Sequence, residues 1–183
     1  MSIKKDFILP VAVLSFICLF ISGTLAVVNS MTRPIIETAA AKRTEAAKKE
    51  IMPQADGFVL LDIYELRNAG RIPKTVTNVY RTTNAVGYIF MVTVIGYGGE
   101  IKLICGIDPG GRVVRTAVLE QTETQGLGTP IFEEPHAGQY WGRNRNGIEE
   151  VASVSGATIT AAAFKNGIRD AFKAFELFSA HDH

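Results

Sequence analysis

The residues with the most chemistry in them lie at Ser155-Gly156-Ala157-Thr158-Ile159-Thr160, where an extended segment hands over to a long helical pattern. Small hydroxylated residues at a helix start make good caps, and the first turn of any helix has N–H groups without intrahelical partners. Gly156 permits close backbone approach, so the segment reads either as an ordinary cap or as a seat for a phosphate. A second cluster, Glu120-Gln-Thr-Glu-Thr-Gln-Gly-Leu-Gly128, combines two flexible glycines with carboxylate and hydroxyl groups. It reads as a solvated loop or as a cradle for a flat, hydrogen-bonding heterocycle.

Other candidates carry less. Tyr140 and Trp141 either pack the core or shield the edge of a planar ligand. Arg143 and Arg145 read as solvated surface charges or as phosphate partners. His136 has no second ligand within sequence reach, and two cysteines, Cys18 and Cys105, are too few for a zinc site, so no metal is expected. Cys105 sits in a strand-like run and reads as a small buried hydrophobe. His181-Asp182-His183 reads as a disordered tail.

These residues must be positioned by the rest of a 183-residue chain, enough for one ordinary domain. Lys+Arg is 19 and Asp+Glu 18, a balance that argues against nucleic-acid binding. Mean hydropathy is +0.16, and the apolar excess sits in Phe7–Val28, which has no charged residue. As a helix this run is about 33 Å long, enough to span a hydrocarbon core of about 30 Å. It is too long for a cleaved signal peptide, although Thr24-Leu25-Ala26 could pass for a processing site. Lys4 and Lys5 before the span put the N-terminus in the cytoplasm and the rest of the chain outside.

The expected organisation is a cytoplasmic N-terminus at 1–6, a transmembrane helix at 7–28, a helical stalk at 29–53, an extracytoplasmic domain at 54–180 and a tail at 181–183. Thr32 is expected to cap a stalk helix running from Pro34 to Ile51, with Pro53 ending it. Strand patterns follow at Phe58–Tyr64, Asn78–Thr82, Ala85–Ile95, Glu100–Ile107 and Arg112–Glu120, with turns at Thr83-Asn84, Gly96–Gly99 and Asp108–Gly111. A short helix within Thr129–Tyr140 and a last strand at Glu149–Val154 complete the region before the final helix, Ala157–Phe178. Phe164, Ile168, Ala171, Phe172, Phe175 and Phe178 recur there at three- and four-residue steps, a face to pack on a sheet. The class is α+β: one N-terminal transmembrane helix, an antiparallel sheet and a long C-terminal helix.

The two clusters, together with the segment GYGGEIKLICGIDPGGRV, resemble the covalent FMN-binding domain family. That family is found in the G subunit of the Rnf electron-transport complex and in the C subunit of the sodium-translocating NADH:quinone oxidoreductase. The likeness runs from about residue 87 to residue 178. It implies that Thr158, the last residue of Ser155-Gly156-Ala157-Thr158, is esterified to the phosphate of FMN. It also implies that Glu123, Thr124, Gly126, Leu127 and Gly128 lie near the flavin. Gln125 and Ala152 stand where the family commonly has proline and an acidic residue.

The implied role is electron transfer within an ion-translocating ferredoxin:NAD oxidoreductase in a bacterial or archaeal cell membrane. The implied partners are membrane and iron–sulfur subunits, a flavin transferase using FAD and Mg²⁺, and membrane lipid. The alternatives are a component like the C subunit of the quinone oxidoreductase and a membrane-anchored assembly or sensor module. No base stands beside Thr158 in sequence to activate a weak hydroxyl nucleophile, so attachment is assigned to the separate transferase.

Overall fold

A computed structural model describes residues 3–179, with side chains from residue 8 onward; His181, Asp182 and His183 lie outside the described residues. The chain divides into two units, residues 1–43 and residues 44–183.

Helix α1 (Ile3–Ile51) is one continuous element through both Pro10 and Pro34. From Ile8 the helix includes an exposed apolar window, and it is long and apolar enough there to cross a membrane. The expected cap at Thr32 does not form. The Thr32 hydroxyl donates instead to the Val28 carbonyl (2.9 Å) inside the helix. Thr24 and Thr38 make the same back-bond, to the Phe20 and Pro34 carbonyls, one turn back along the helix.

In the second unit, five strands form an antiparallel meander in the order β1-β2-β3-β4-β5. They are β1 (Phe58–Leu61), β2 (Val76–Thr82), β3 (Tyr88–Ile95), β4 (Glu100–Ile107) and β5 (Val113–Gln121). β1 is shorter than its apolar pattern, because Asp62 Oδ1 accepts from the Tyr64 N–H (2.9 Å) and turns the chain into the short helix α2 (Tyr64–Asn68). β3 begins three residues later than expected. Ala85 and Gly87 take positive φ (54° and 152°) to make the reversal after β2.

Period-two alternation sorts the central strands into two buried faces. Phe90, Val92 and Val94 of β3, with Leu103 and Cys105 of β4, face the large core beneath the last helix, α4 (Thr158–Ser179). Phe164, Ile168, Ala171, Phe172 and Phe175 fill that core from α4, and Phe178 packs at its margin. Ile89 and Ile104 point the opposite way, onto Ala47, Ile51 and Met52 at the end of α1. That second layer also holds Lys48. It is 3 % exposed, with its ammonium 4.1 Å from the Tyr80 ring centroid and paired with Glu45 (2.6 Å).

Between β5 and α4 the short helix expected within Thr129–Tyr140 is α3 (Glu134–Ala137), flanked by 3-10 turns at Thr129–Phe132 and Gly138–Tyr140. Pro130 and Pro135 interrupt the ladder. The expected strand at Glu149–Val154 is absent; Gly147–Glu150 forms a 3-10 turn. The Glu149 and Val151 carbonyls accept from Lys165 Nζ (3.2 and 2.6 Å) rather than from a neighbouring strand.

Candidate functional site

Three segments meet at one end of the sheet. The β3–β4 turn brings Tyr97, the loop after β5 brings Glu123 to Gly128, and the head of α4 brings Gly156 to Thr160. Together they line a cleft of about 240 Å³. A β-bulge between Val118 and Glu120 turns the end of β5 just before it enters this loop.

Glu123 joins the three segments. It is 8 % exposed. Its Oε1 accepts from the Gly98 N–H (3.1 Å) and its Oε2 from the Thr160 hydroxyl (2.8 Å). Its own N–H donates to Gln121 Oε1 (2.6 Å). The carboxylate lies so close to the neighbouring backbone that a Cβ at Gly96 would collide with Oε1, and one at Gly128 would stand 2.7 Å from Oε2.

Gly156 takes φ +83°, a conformation glycine accepts at low cost, and reverses the chain into α4. The Ala161 N–H donates to the Ala157 carbonyl (2.9 Å), so Ala157 occupies the cap position and offers no side-chain oxygen. The expected hydroxyl cap is therefore replaced by an apolar residue. Among the described residues no side chain caps the first turn of α4.

The two threonines of this turn differ completely. Thr160 is 2 % exposed and committed to Glu123. Thr158 is exposed, lines the cleft, and reaches only the Val154 carbonyl, at 3.5 Å. Around it stand Tyr97, Leu127 and Ile159, which are 72 %, 52 % and 57 % exposed.

Of the residues singled out in the sequence, Glu123, Thr124, Leu127, Gly128, Gly156, Ala157 and Thr158 line the cleft. Gly126, at φ +78°, shapes the loop, and its N–H donates to Thr129 Oγ1 (3.0 Å). Ser155 is exposed beside the cleft without lining it. Tyr97, Ile159 and Thr160 line it as well, beyond the residues that the resemblance assigns to the flavin. Tyr97 lies in the Gly-rich turn of the resemblance, and the other two directly extend the hydroxyl motif, so their positions are visible in the sequence but their roles are not.

The other candidates belong elsewhere. Tyr140 is fully buried against Phe164, and burial with nearby Glu149 pushes its hydroxyl pKa up to about 12. Trp141 Nε1 donates to Thr116 (3.3 Å) under the Arg115 guanidinium. Arg143 pairs with Glu150 and Arg145 with Glu176. His136 is buried edge-on to Tyr140, and burial followed by the Lys165 charge holds its pKa below the usual imidazole value.

An exposed hydroxyl at the uncapped head of a 22-residue helix, beside exposed apolar side chains, suits a ligand with a phosphate at one end and a flat ring at the other. Residues 96–173 match the FMN-binding domain family. The chain carries an FMN-binding domain. The matched segment of this FMN-binding domain includes all of the cleft, from Tyr97 to Thr160.

Similarity extends beyond the domain. The chain is 25% identical over 171 residues to the G subunit of the proton-translocating ferredoxin:NAD(+) oxidoreductase complex of Clostridium ljungdahlii, covering 87% of each chain. It is 24% identical over 175 residues to the G subunit of the Na(+)-translocating ferredoxin:NAD(+) oxidoreductase complex of Acetobacterium woodii, covering 85% of this chain and 84% of that one. It is 27% identical over 180 residues to the G subunit of the ion-translocating oxidoreductase complex of Methanosarcina acetivorans, covering 93% and 95%.

Proposed function

We propose that this protein is the FMN-carrying electron-transfer subunit of a membrane-bound, ion-translocating ferredoxin:NAD oxidoreductase complex, with the flavin held as a phosphoester of Thr158. The observation that carries this reading is the difference between two hydroxyls inside the FMN-binding domain: Thr160 is consumed by Glu123, and Thr158 is exposed in the cleft with only a long 3.5 Å contact to the Val154 carbonyl. The relatives, matched along both chains, supply the complex.

The first-turn N–H groups of α4 would hold the phosphate, and Tyr97, Leu127 and Ile159 would flank the ring. The bound flavin supplies the redox chemistry, and the protein sets its polarity and orientation. A phosphate at a helix head gains about 0.3–1 kcal/mol when exposed, too little to retain a flavin in a dilute compartment. A covalent tether removes that dependence on affinity.

Attachment needs an outside enzyme, since none of the residues lining the cleft pairs with the Thr158 hydroxyl as a base. In the proposed step a flavin transferase, helped by Mg²⁺, presents FAD. The bond from Thr158 Oγ1 to the FMN phosphorus forms, the pyrophosphate bond breaks, AMP leaves, and the hydroxyl proton passes to the transferase. The N-terminus lies in the cytoplasm and the flavin domain outside. Residues 7–28 carry no charge, so ion movement belongs to partner membrane subunits, and electrons reach them through iron–sulfur partners.

The test is intact mass and in-gel fluorescence of the full chain made with a flavin transferase. One FMN phosphoryl group per chain, absent from Thr158→Ala, is the expected result. An unmodified parent chain, or a Thr158→Ala variant labelled as fully as the parent, overturns the reading.

A further inference from the structure

We infer that Glu123 is a positioning residue for flavin attachment, acting through Thr160 and Gly98 rather than by touching the flavin. The inference rests on the reading that Thr158 is the attachment site. A carboxylate in a cofactor loop would ordinarily be assigned to the ligand. Here both oxygens are spent inside the protein, one on the Gly98 N–H and one on the Thr160 hydroxyl, with the residue 8 % exposed. The glycines at 96 and 128 allow this inward placement, because a side chain at either would displace the carboxylate.

The geometry has a direct consequence for Thr158. Positions 158 and 160 lie about 200° apart around a helix, given about 100° per residue. Both threonines line the cleft, but the Thr160 hydroxyl is spent on Glu123; pinning it there fixes the rotation of the first turn of α4 and with it the position of the exposed Thr158 hydroxyl. The same carboxylate ties down the β3–β4 turn that carries Tyr97, so hydroxyl and ring platform are held by one group. Released from Glu123, the first turn of α4 has no side-chain cap among the described residues to keep its orientation. A misplacement of about 1 Å at a reacting atom can cost about 100-fold in rate.

The experiment measures the initial rate of flavin attachment to the full chain in detergent, with purified flavin transferase, FAD and Mg²⁺, alongside the melting midpoint of each variant. Glu123→Ala removes both acceptors. Glu123→Gln keeps an oxygen for the Gly98 N–H and offers an amide N–H to Thr160 Oγ1. Thr160→Val keeps shape and loses the hydroxyl, while Thr160→Ser keeps the hydroxyl. The expected result is a loss of about tenfold or more for Glu123→Ala and Thr160→Val, with Glu123→Gln and Thr160→Ser within about twofold of the parent. Labelling of Glu123→Ala and Thr160→Val at the parent rate overturns the inference. So does an equal loss in all four variants that tracks their melting midpoints, which marks a purely structural role. If Glu123→Ala does not fold, the Thr160 pair decides alone. A parent chain that takes no flavin, or Thr158→Ala that does, overturns the Thr158 reading and this inference with it; slow Glu123→Ala beside a normal parent leaves that reading intact.

Discussion

Thr158 and Thr160 stand two residues apart at the head of α4, one with its hydroxyl in the open cleft and the other with its hydroxyl donated to a buried carboxylate. Removing the first hydroxyl should therefore cost function and almost no stability. Thr158→Ala is expected to change the unfolding free energy by no more than about 0.5 kcal/mol, as for other exposed sites. Its flavin content should fall to background. Denaturant unfolding beside in-gel fluorescence separates the two effects.

Gly167 of α4 lies directly against Leu103 of β4, and a Cβ there would collide with the leucine side chain, itself 1 % exposed. Alanine would favour the isolated helix by about 1 kcal/mol. Overpacking the interface costs about 1–3 kcal/mol. Packing is expected to win, so Gly167→Ala should lower stability, and a thermal melt showing a gain would contradict this account of how α4 seats.

Burial raises the Cys105 thiol pKa to about 12. In a chain where Cys18 is replaced by serine, Cys105 should resist alkylation at pH 8 and react only as denaturant unfolds the sheet. Modification in the native state at the rate of a free thiol would show that strand β4 opens.

His136 has its folded pKa held below the ordinary imidazole value of 6.5, first by burial and then by Lys165. Its Nε2 has no hydrogen-bond partner among the described residues. The unfolded chain therefore takes up this proton more readily than the folded one. The resulting stability is present above about pH 6.5 and is lost as pH falls below that value, with a slope of at most about 1.4 kcal/mol per pH unit. His136→Phe, which keeps a ring against Tyr140, should flatten the decline between pH 7 and 5. An unchanged profile would show that other groups drive it.

Much of this architecture is legible in local pattern. The alternation in Tyr88–Ile95 and Glu100–Ile107 marks two strands, and the three- and four-residue spacing from Phe164 to Phe175 marks the buried face of α4. Patterns mislead where another group takes the hydrogen bond that the pattern presumes. Glu149–Val154 reads as a strand, yet a strand needs a free edge, and Lys165 already serves two of its carbonyls. Thr32 before Pro34 reads as a cap, yet its hydroxyl finds a carbonyl one turn back inside an uninterrupted helix.

The apolar span, the strand–turn rhythm, the amphipathic last helix and the hydroxyl-rich motif at its head follow from the order of residues alone, because each depends on neighbours within a few positions. Which hydroxyl of that motif stays free was decided only in three dimensions. Glu123 lies 37 residues from Thr160 along the chain and 2.8 Å from it across the fold. Sheet register and the seating of α4 bring them together, and a buried carboxylate must find donors or stay unsatisfied. It takes Thr160 and leaves Thr158 open.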